Sequence, residues 1–536
     1  MDDKEKNFLD PRTLLAVGLV AVVWFGWQSY LSKKYPDLGK TPAPVVASGE
    51  AAAAGALKPA TAEPNLGAAT IAAKAVVPET HFAVDSAEAG FQLSSQGMAI
   101  QALQLKKFTH RDQKPIQFAP ESKSGLFEVG VLGQSAPLVF QIEKKTETEF
   151  VGHAQVGATL LEQKITYDPK NYAFNHEIAL DHVDPSFPGL TVRVPETRQV
   201  TKSSGFMMGS YEHQEFYVNH AGDKSERLNL TKDKVDQNFA DVSIASVGSQ
   251  YFATAVLDKS EVVPSVQLQS DPGTADLSML LQYKLANSRS QVHLHFKTFA
   301  GPKAHDVLLQ VDPELPAILD FGYFSAIGKV LLTVLKSFNG FFGNWGVSII
   351  FLTLVVRLLV LPVNIASYKS MKRMQKIQPM MQSLRERHKE DPATLQRETM
   401  ALMKREKVNP VGGCLPMLLQ MPIFFALFSV LGHSIELYQA PFFGWISDLS
   451  LKDPFFILPA LVGIIFFIQQ KITPTTMDPA QAKVMQFMPL LFSFMMIGLP
   501  SGLNLYTFVS TLFGVAQQRF FMRDRHAAGV VSIAKT

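Results

Sequence analysis

Arg357 is the residue most at odds with its surroundings, standing inside the otherwise uncharged stretch Trp345 to Ala366, WGVSIIFLTLVVRLLVLPVNIA. About 20 apolar residues at 1.5 Å each match the hydrocarbon thickness of a bilayer, so this stretch is long enough to cross one as a helix. An arginine there costs at least about 2.5 to 3.5 kcal/mol and is a functional feature by default. Snorkelling accounts for a charge near a helix end. The first charge after the stretch, however, is Lys369, twelve residues on, roughly 18 Å along the axis and beyond one side chain's reach. A water-lined cavity around Arg357 is the better reading.

The other apolar segments carry few polar groups: Thr353 one turn before the arginine, then Gln420, Gln469, Gln486, Asn504, Tyr506 and Thr507. Each by itself reads as a helix-to-helix hydrogen bond. A coupled ion carrier adds intramembrane acids or paired charges, and these segments have none. A lone cation in a hydrated pocket suits transient contact with a polar or acidic segment passing through. Met485, Met488, Met495 and Met496 offer an adaptable apolar wall, although plain packing explains them equally well.

Other chemistry is sparse. His293 and His295 alternate with Val292, Leu294 and Phe296, which puts them on the face opposite the apolar one, and no third ligand stands at metal-binding spacing. Paired carboxylates, a nucleophile elbow and a glycine-rich phosphate loop are all missing, so the expectation is no enzyme, metal or cofactor. A sugar or peptide groove on the β region stays open. The single cysteine, Cys414, forbids an intramolecular disulfide.

The elements that must position Arg357 follow from patterning. Of 536 residues 47% are hydrophobic and 18% charged, with the apolar ones in long uncharged runs, as in membrane proteins. The net charge of +3 marks no nucleic-acid face. Residues 1–35 read as a short cytoplasmic tail and an uncleaved anchor, Thr13 to Ser32, with Trp24, Trp27 and Tyr30 at the far interface. Residues 36–78 are dominated by Pro, Ala and Gly and read as a flexible tether. Over 79–316 the period becomes two: Leu138, Phe140, Ile142; Tyr172, Phe174, His176, Ile178, Leu180; Leu190, Val192, Val194; Leu277, Met279, Leu281, Tyr283, Leu285. With turns such as Asp168-Pro169 and Asp271-Pro272-Gly273 between them, these runs predict a large antiparallel β sandwich.

Residues 317–343 change period again, and Phe324, Ile327, Leu331, Leu335 and Phe338 predict an amphipathic helix on the membrane surface. Residues 344–521 then hold five spans, with a loop at 368–411 carrying eleven basic against five acidic residues. By the positive-inside rule that loop is cytoplasmic. It reads as a helical hairpin broken at Asp391-Pro392, with Met371, Met374, Met381 and Met403 in a soft seam and Arg385 among its surface cations. Val484 to Gln518 carries no charge over 35 residues, about 52 Å of helix, so a turn at Pro500-Ser501-Gly502 must make it two spans. Six spans put both termini, including the 522–536 tail, in the cytoplasm and the β domain outside.

The segments NWGVSIIFLTLVVRLLVLP, KVNPVGGCLPMLLQMPIFFALF, FFIQQKITPTT and QFMPLLFSFMMIGLPSGLNLYTFVS, in that order, resemble the YidC family of membrane protein insertases, with its mitochondrial and chloroplast relatives. The resemblance covers about Trp345 to Gln518, and the β domain and anchor resemble the Gram-negative subclass in layout. It implies a multispan α-helical membrane protein with a five-helix core and a periplasmic sandwich resembling sugar epimerases. It further implies a hydrophilic groove in the inner leaflet with Arg357 inside it, and a hairpin that engages incoming chains. The implied partners are nascent membrane proteins, ribosome-nascent chain complexes, the Sec translocon and the lipid bilayer, without nucleotide hydrolysis. A multispan transporter whose β domain captures a ligand outside is the alternative from the residues alone.

Overall fold

A computed structural model describes residues 79–522 apart from 119–123, 198–213, 222–223, 231–234, 271–275, 286–289, 390, 407, 409–414 and 474–478. All of these lie in one compact unit, Val76–Thr536. The anchor, the tether and the C-terminal tail fall outside the described residues.

The period-two runs form antiparallel strands sharing one hydrophobic core. A nine-stranded sheet contains, as neighbours, Phe252–Asp258, Gln291–Pro302, Ala173–Asp181, Thr159–Asp168 and Glu149–Val156. A five-stranded sheet is built around Ser265–Ser270, Asp276–Lys284 and Gly189–Thr197, and a four-stranded one holds His81–Asp85 to Pro115–Phe118. Register pairs the inward rows, with Val292 opposite Leu180, Leu294 opposite Ile178 and Phe296 opposite His176. Facing side chains on one side of a pleat are the unit that stabilises a sheet. The run Leu138, Phe140, Ile142 is the exception: Pro137 and Val139 make only isolated bridges, and the strand is Gln141–Lys144.

The chain leaves the sandwich through α1 (His305–Val311) and enters α2 (Ser325–Phe342). Helix α2 buries Leu331, Leu332 and Leu335, while Val330 and Phe341 are exposed. Its end at Gly343, at φ +65°, is followed by Asn344, whose side chain accepts from the Val347 N–H at 3.0 Å and caps α3 (Trp345–Leu359). The stretch Trp345 to Ala366 divides at Val360 into α3 and α4 (Leu361–Arg387), a one-residue interruption within a continuous helical stretch, since Val360 still donates to Val356 and accepts from Asn364. Pro362 is the cause, for it has no N–H to give Leu358 and its ring crowds that carbonyl. Helix α4 runs on into the hairpin, starting nine residues before the expected Ser370, and Pro379 does not stop it.

Asp391 caps α5 (Pro392–Arg405), its Oδ1 accepting from Ala393 and Thr394 at 3.1 Å. The bundle continues with α6 (Leu415–His433), α7 (Ile457–Ile472), α8 (Pro479–Met496) and α9 (Ser501–Met522). Helices α8 and α9 meet at the expected turn, where Ser501 Oγ donates to the Leu451 carbonyl at 2.8 Å. Among the described residues one helical stretch, Trp345–Arg387, is long and apolar enough to cross a bilayer. The apolar helices Gln420–His433, Ile457–Ile472 and Phe487–Met496 are shorter.

Candidate functional site

Arg357 lies in the last turn of α3, where the helix dipole favours a cation. Its Nε donates to Ser510 Oγ on α9 at 3.0 Å. Gly514, one turn further along α9, makes room for the guanidinium, because a Cβ there would stand 3.2 Å from one terminal nitrogen and 3.4 Å from the other. Tyr368 of α4 closes the other side, its hydroxyl donating to the Gly514 carbonyl at 3.4 Å. Tyr506, one turn before Ser510, accepts at its hydroxyl from Gln420 Nε2 of α6 at 2.7 Å. Both tyrosines lie close enough to the guanidinium to interact with it electrostatically. No Asp or Glu among the described residues forms an ion pair with Arg357. The arrangement is a partly buried cation beside hydroxyl groups of two helices, α4 and α9, with no carboxylate partner among the described residues.

The remaining expected groove residues sit differently. Thr353 and Thr507 return their hydroxyls to their own helices, at Ile349 (2.6 Å) and Leu503 (2.8 Å). Asn504 Nδ2 donates to the Met496 and Leu499 carbonyls, each at 3.1 Å, and so ties off the end of α8. Gln469 is half-buried on α7, and its carbonyl accepts the Thr473 hydroxyl at 2.7 Å. The side chain of Gln486 lies outside the described residues. Sequence reading missed Ser510, Gly514 and Tyr368, as well as the buried Asn364 and Ser367 of α4. The signal was available in the i, i+4 row Tyr506, Ser510, Gly514, Gln518, a polar and small stripe on an apolar helix.

In the hairpin Ile377, Met381, Leu402 and Val408 form a small core, with Met374, Leu384 and Met403 packed against it. Met371 and Arg385 are half-buried outside that cluster, and Lys376, Arg387, Arg397 and Lys404 are exposed. The Asp391 carboxyl is held below the usual range, first by the Thr394 hydroxyl and then by the cap N–H groups.

On the sandwich His293 is exposed, with Val292 and Leu294 buried beside it. His295 Nε2 is 2.9 Å from Asn175 Oδ1. The two histidines line a shallow groove of about 390 Å³ with Glu162, Lys164 and Glu177. No group of three or more His, Cys, Asp or Glu among the described residues could hold a metal. The inward histidine, His176, is fully buried between Thr298 Oγ1 at 2.9 Å and Gln163 Nε2 at 3.4 Å, and burial lowers its pKa to about 3.

These features define a chain with an apolar helical bundle, an arginine on an apolar helix without an acidic partner among the described residues, and a β sandwich. Residues 337–528 match the family described as 60Kd inner membrane protein, and residues 82–334 match the YidC periplasmic domain. The chain is similar to a membrane protein insertase YidC of Geotalea daltonii, 32% identical across 96% of this chain and 99% of that one. Among solved structures it is similar to an active YidC insertase with the first transmembrane domain resolved, at 19% identity over 82% of this chain and 92% of that one, TM-score 0.37. A putative aldose 1-epimerase from Escherichia coli K12 covers 42% of this chain and 99% of its own length at 9% identity, TM-score 0.30. The chain belongs to the YidC family of membrane protein insertases. It is accordingly an insertase and not an enzyme, a bacterial inner-membrane protein with a periplasmic β-sandwich domain.

Proposed function

We propose that this chain inserts client helices into the inner membrane through a hydrated groove centred on Arg357. Six spans, five of them the core, place both termini in the cytoplasm, and the sandwich lies outside. Arg357 and the Gln420–Tyr506 pair receive the polar tail of a client, with Thr353, Asn504 and Thr507 shaping the wall and Gln469 and Gln486 nearer the cytoplasm. The hairpin, through Met371, Met374, Met381, Met403 and Arg385, meets nascent chains leaving the ribosome. The protein works alone or beside the Sec translocon and assists folding after insertion.

Carrying a charged tail across an apolar slab costs several kcal/mol per charge, and a groove reaching part-way shortens the slab. Arg357 attracts acidic tail residues while the client's apolar helix leaves sideways into lipid, and that partition drives the step. The observation that carries this reading is that Arg357 bonds Ser510 and, among the described residues, no acid. The test is insertion of a single-span client with a charged tail into vesicles carrying the purified protein and no solute gradient. Arg357→Ala blocks it and Arg357→Lys retains much of it. Normal insertion by a stable Arg357→Ala protein refutes the reading.

A further inference from the structure

Asn364 and Ser367 stand one turn apart on one face of α4 and are only 2% and 1% exposed. Among the described residues Asn364 Nδ2 and Ser367 Oγ have no hydrogen-bond partner. Buried polar atoms almost always find one, in protein, water or ligand. The hydroxyls of Thr353, Thr507 and Thr511 use the carbonyl one turn back on their own helices, whereas Ser367 does not use the Val363 carbonyl available to it. Tyr368, beside Ser367 and one turn after Asn364, bonds the carbonyl of Gly514, the residue against which the Arg357 guanidinium rests. The unpartnered pair therefore adjoins the arginine chamber on the helix that runs unbroken from Leu361 to the hairpin seam at Ile377 and Met381.

We propose that Asn364 and Ser367 form a second polar station beside Arg357 that binds an acceptor oxygen, a water in the resting protein and a backbone carbonyl of the client tail in transit. This rests on the groove reading above and adds a division of labour to it. Arg357 selects charge, whereas a carbonyl is offered by every residue, so the Asn364–Ser367 station serves tails that carry no acid.

The experiment uses the full chain in membrane vesicles with Cys414→Ser, so that Asn364→Cys, Ser367→Cys and Ser510→Cys each present one thiol to a small hydrophilic reagent. A stalled client with a neutral polar tail is the occupant. Both α4 positions label in the free protein and are protected by the stalled client. Asn364→Leu and Ser367→Ala slow insertion of the neutral-tail client about threefold to tenfold and affect an acidic-tail client less. Three outcomes overturn the proposal. If Ser510→Cys labels and is protected while the α4 positions do neither, the station fails and the groove reading stands. If the α4 positions label without protection and neutral-tail insertion is unchanged, the site holds water only. If none of the three labels, the groove reading falls with it.

Discussion

Gly514 decides how Arg357 is held. Alanine there brings a methyl to 3.2 Å from the guanidinium, which a small side-chain shift absorbs. Valine displaces the guanidinium from Ser510, and the expected result is about a tenfold loss in insertion of acidic-tail clients with neutral-tail clients spared. Vesicle insertion assays with the two clients measure it. His176 carries a separate prediction. Its pKa is about 3 in the fold against roughly 6.5 unfolded, so the unfolded chain binds the extra proton and stability falls as pH drops from about 6.5 toward 3. By pH 5 the wild type loses about 2 kcal/mol relative to pH 7 through this group, and His176→Gln loses less. Denaturant melts of the two proteins at both pH values, compared as a difference, read this out.

Among the elements, the loop between α6 and α7 is organised by two buried carboxylates, Asp448, which accepts from Gln439 N and from Ser450 N and Oγ, and Asp453. Asp453 is fully buried, accepts from Trp445 Nε1 and Phe455 N at 3.0 Å, and accepts from Leu458 N at 2.7 Å, capping α7. Asp453→Ala strands three donors and costs about 2 to 4 kcal/mol. A lowered thermal midpoint with insertion intact below it is the expected result. Element types were legible in advance where one face is buried, because alternation in Ala173–Asp181 or Asp276–Lys284 leaves no other periodicity. Boundaries were less so. The break at Val360 depended on Pro362, which a membrane helix can also absorb, as Pro422 in α6 shows.

On the scale of the whole molecule, the sandwich is docked onto the loop after α6. Tyr438 Oη and Gln439 Nε2 donate to the Thr109 carbonyl at 3.0 and 2.9 Å, and Gln250 and Tyr251 donate to the Gly432 carbonyl. Ile435 enters the core of the sandwich, and Lys336 of α2 pairs with Asp306 at 2.9 Å and Glu436 at 2.7 Å. None of these contacts involves Arg357 or its partners. Deleting about Thr80 to Pro302 is therefore expected to leave insertion largely intact while lowering the melting point. Extending the deletion into Phe321 to Phe338 removes Leu331 and Leu335 from the bundle core and is expected to abolish insertion, in the same vesicle assay.

Local pattern alone determined the sandwich, the amphipathic helix, the hairpin and the singular position of Arg357, because each rests on a hydrophobic period or a charge count within a short window. Tertiary structure decided which polar residues meet that arginine. Ser510 and Gly514 are more than 150 residues away in sequence and look unremarkable there, while Thr353 and Thr507, close to Arg357 or to Tyr506 in sequence, return their hydroxyls to their own backbones. Period reports which face of a helix is buried. It does not report the partner on that face, which is set by how α3, α4, α6 and α9 pack together.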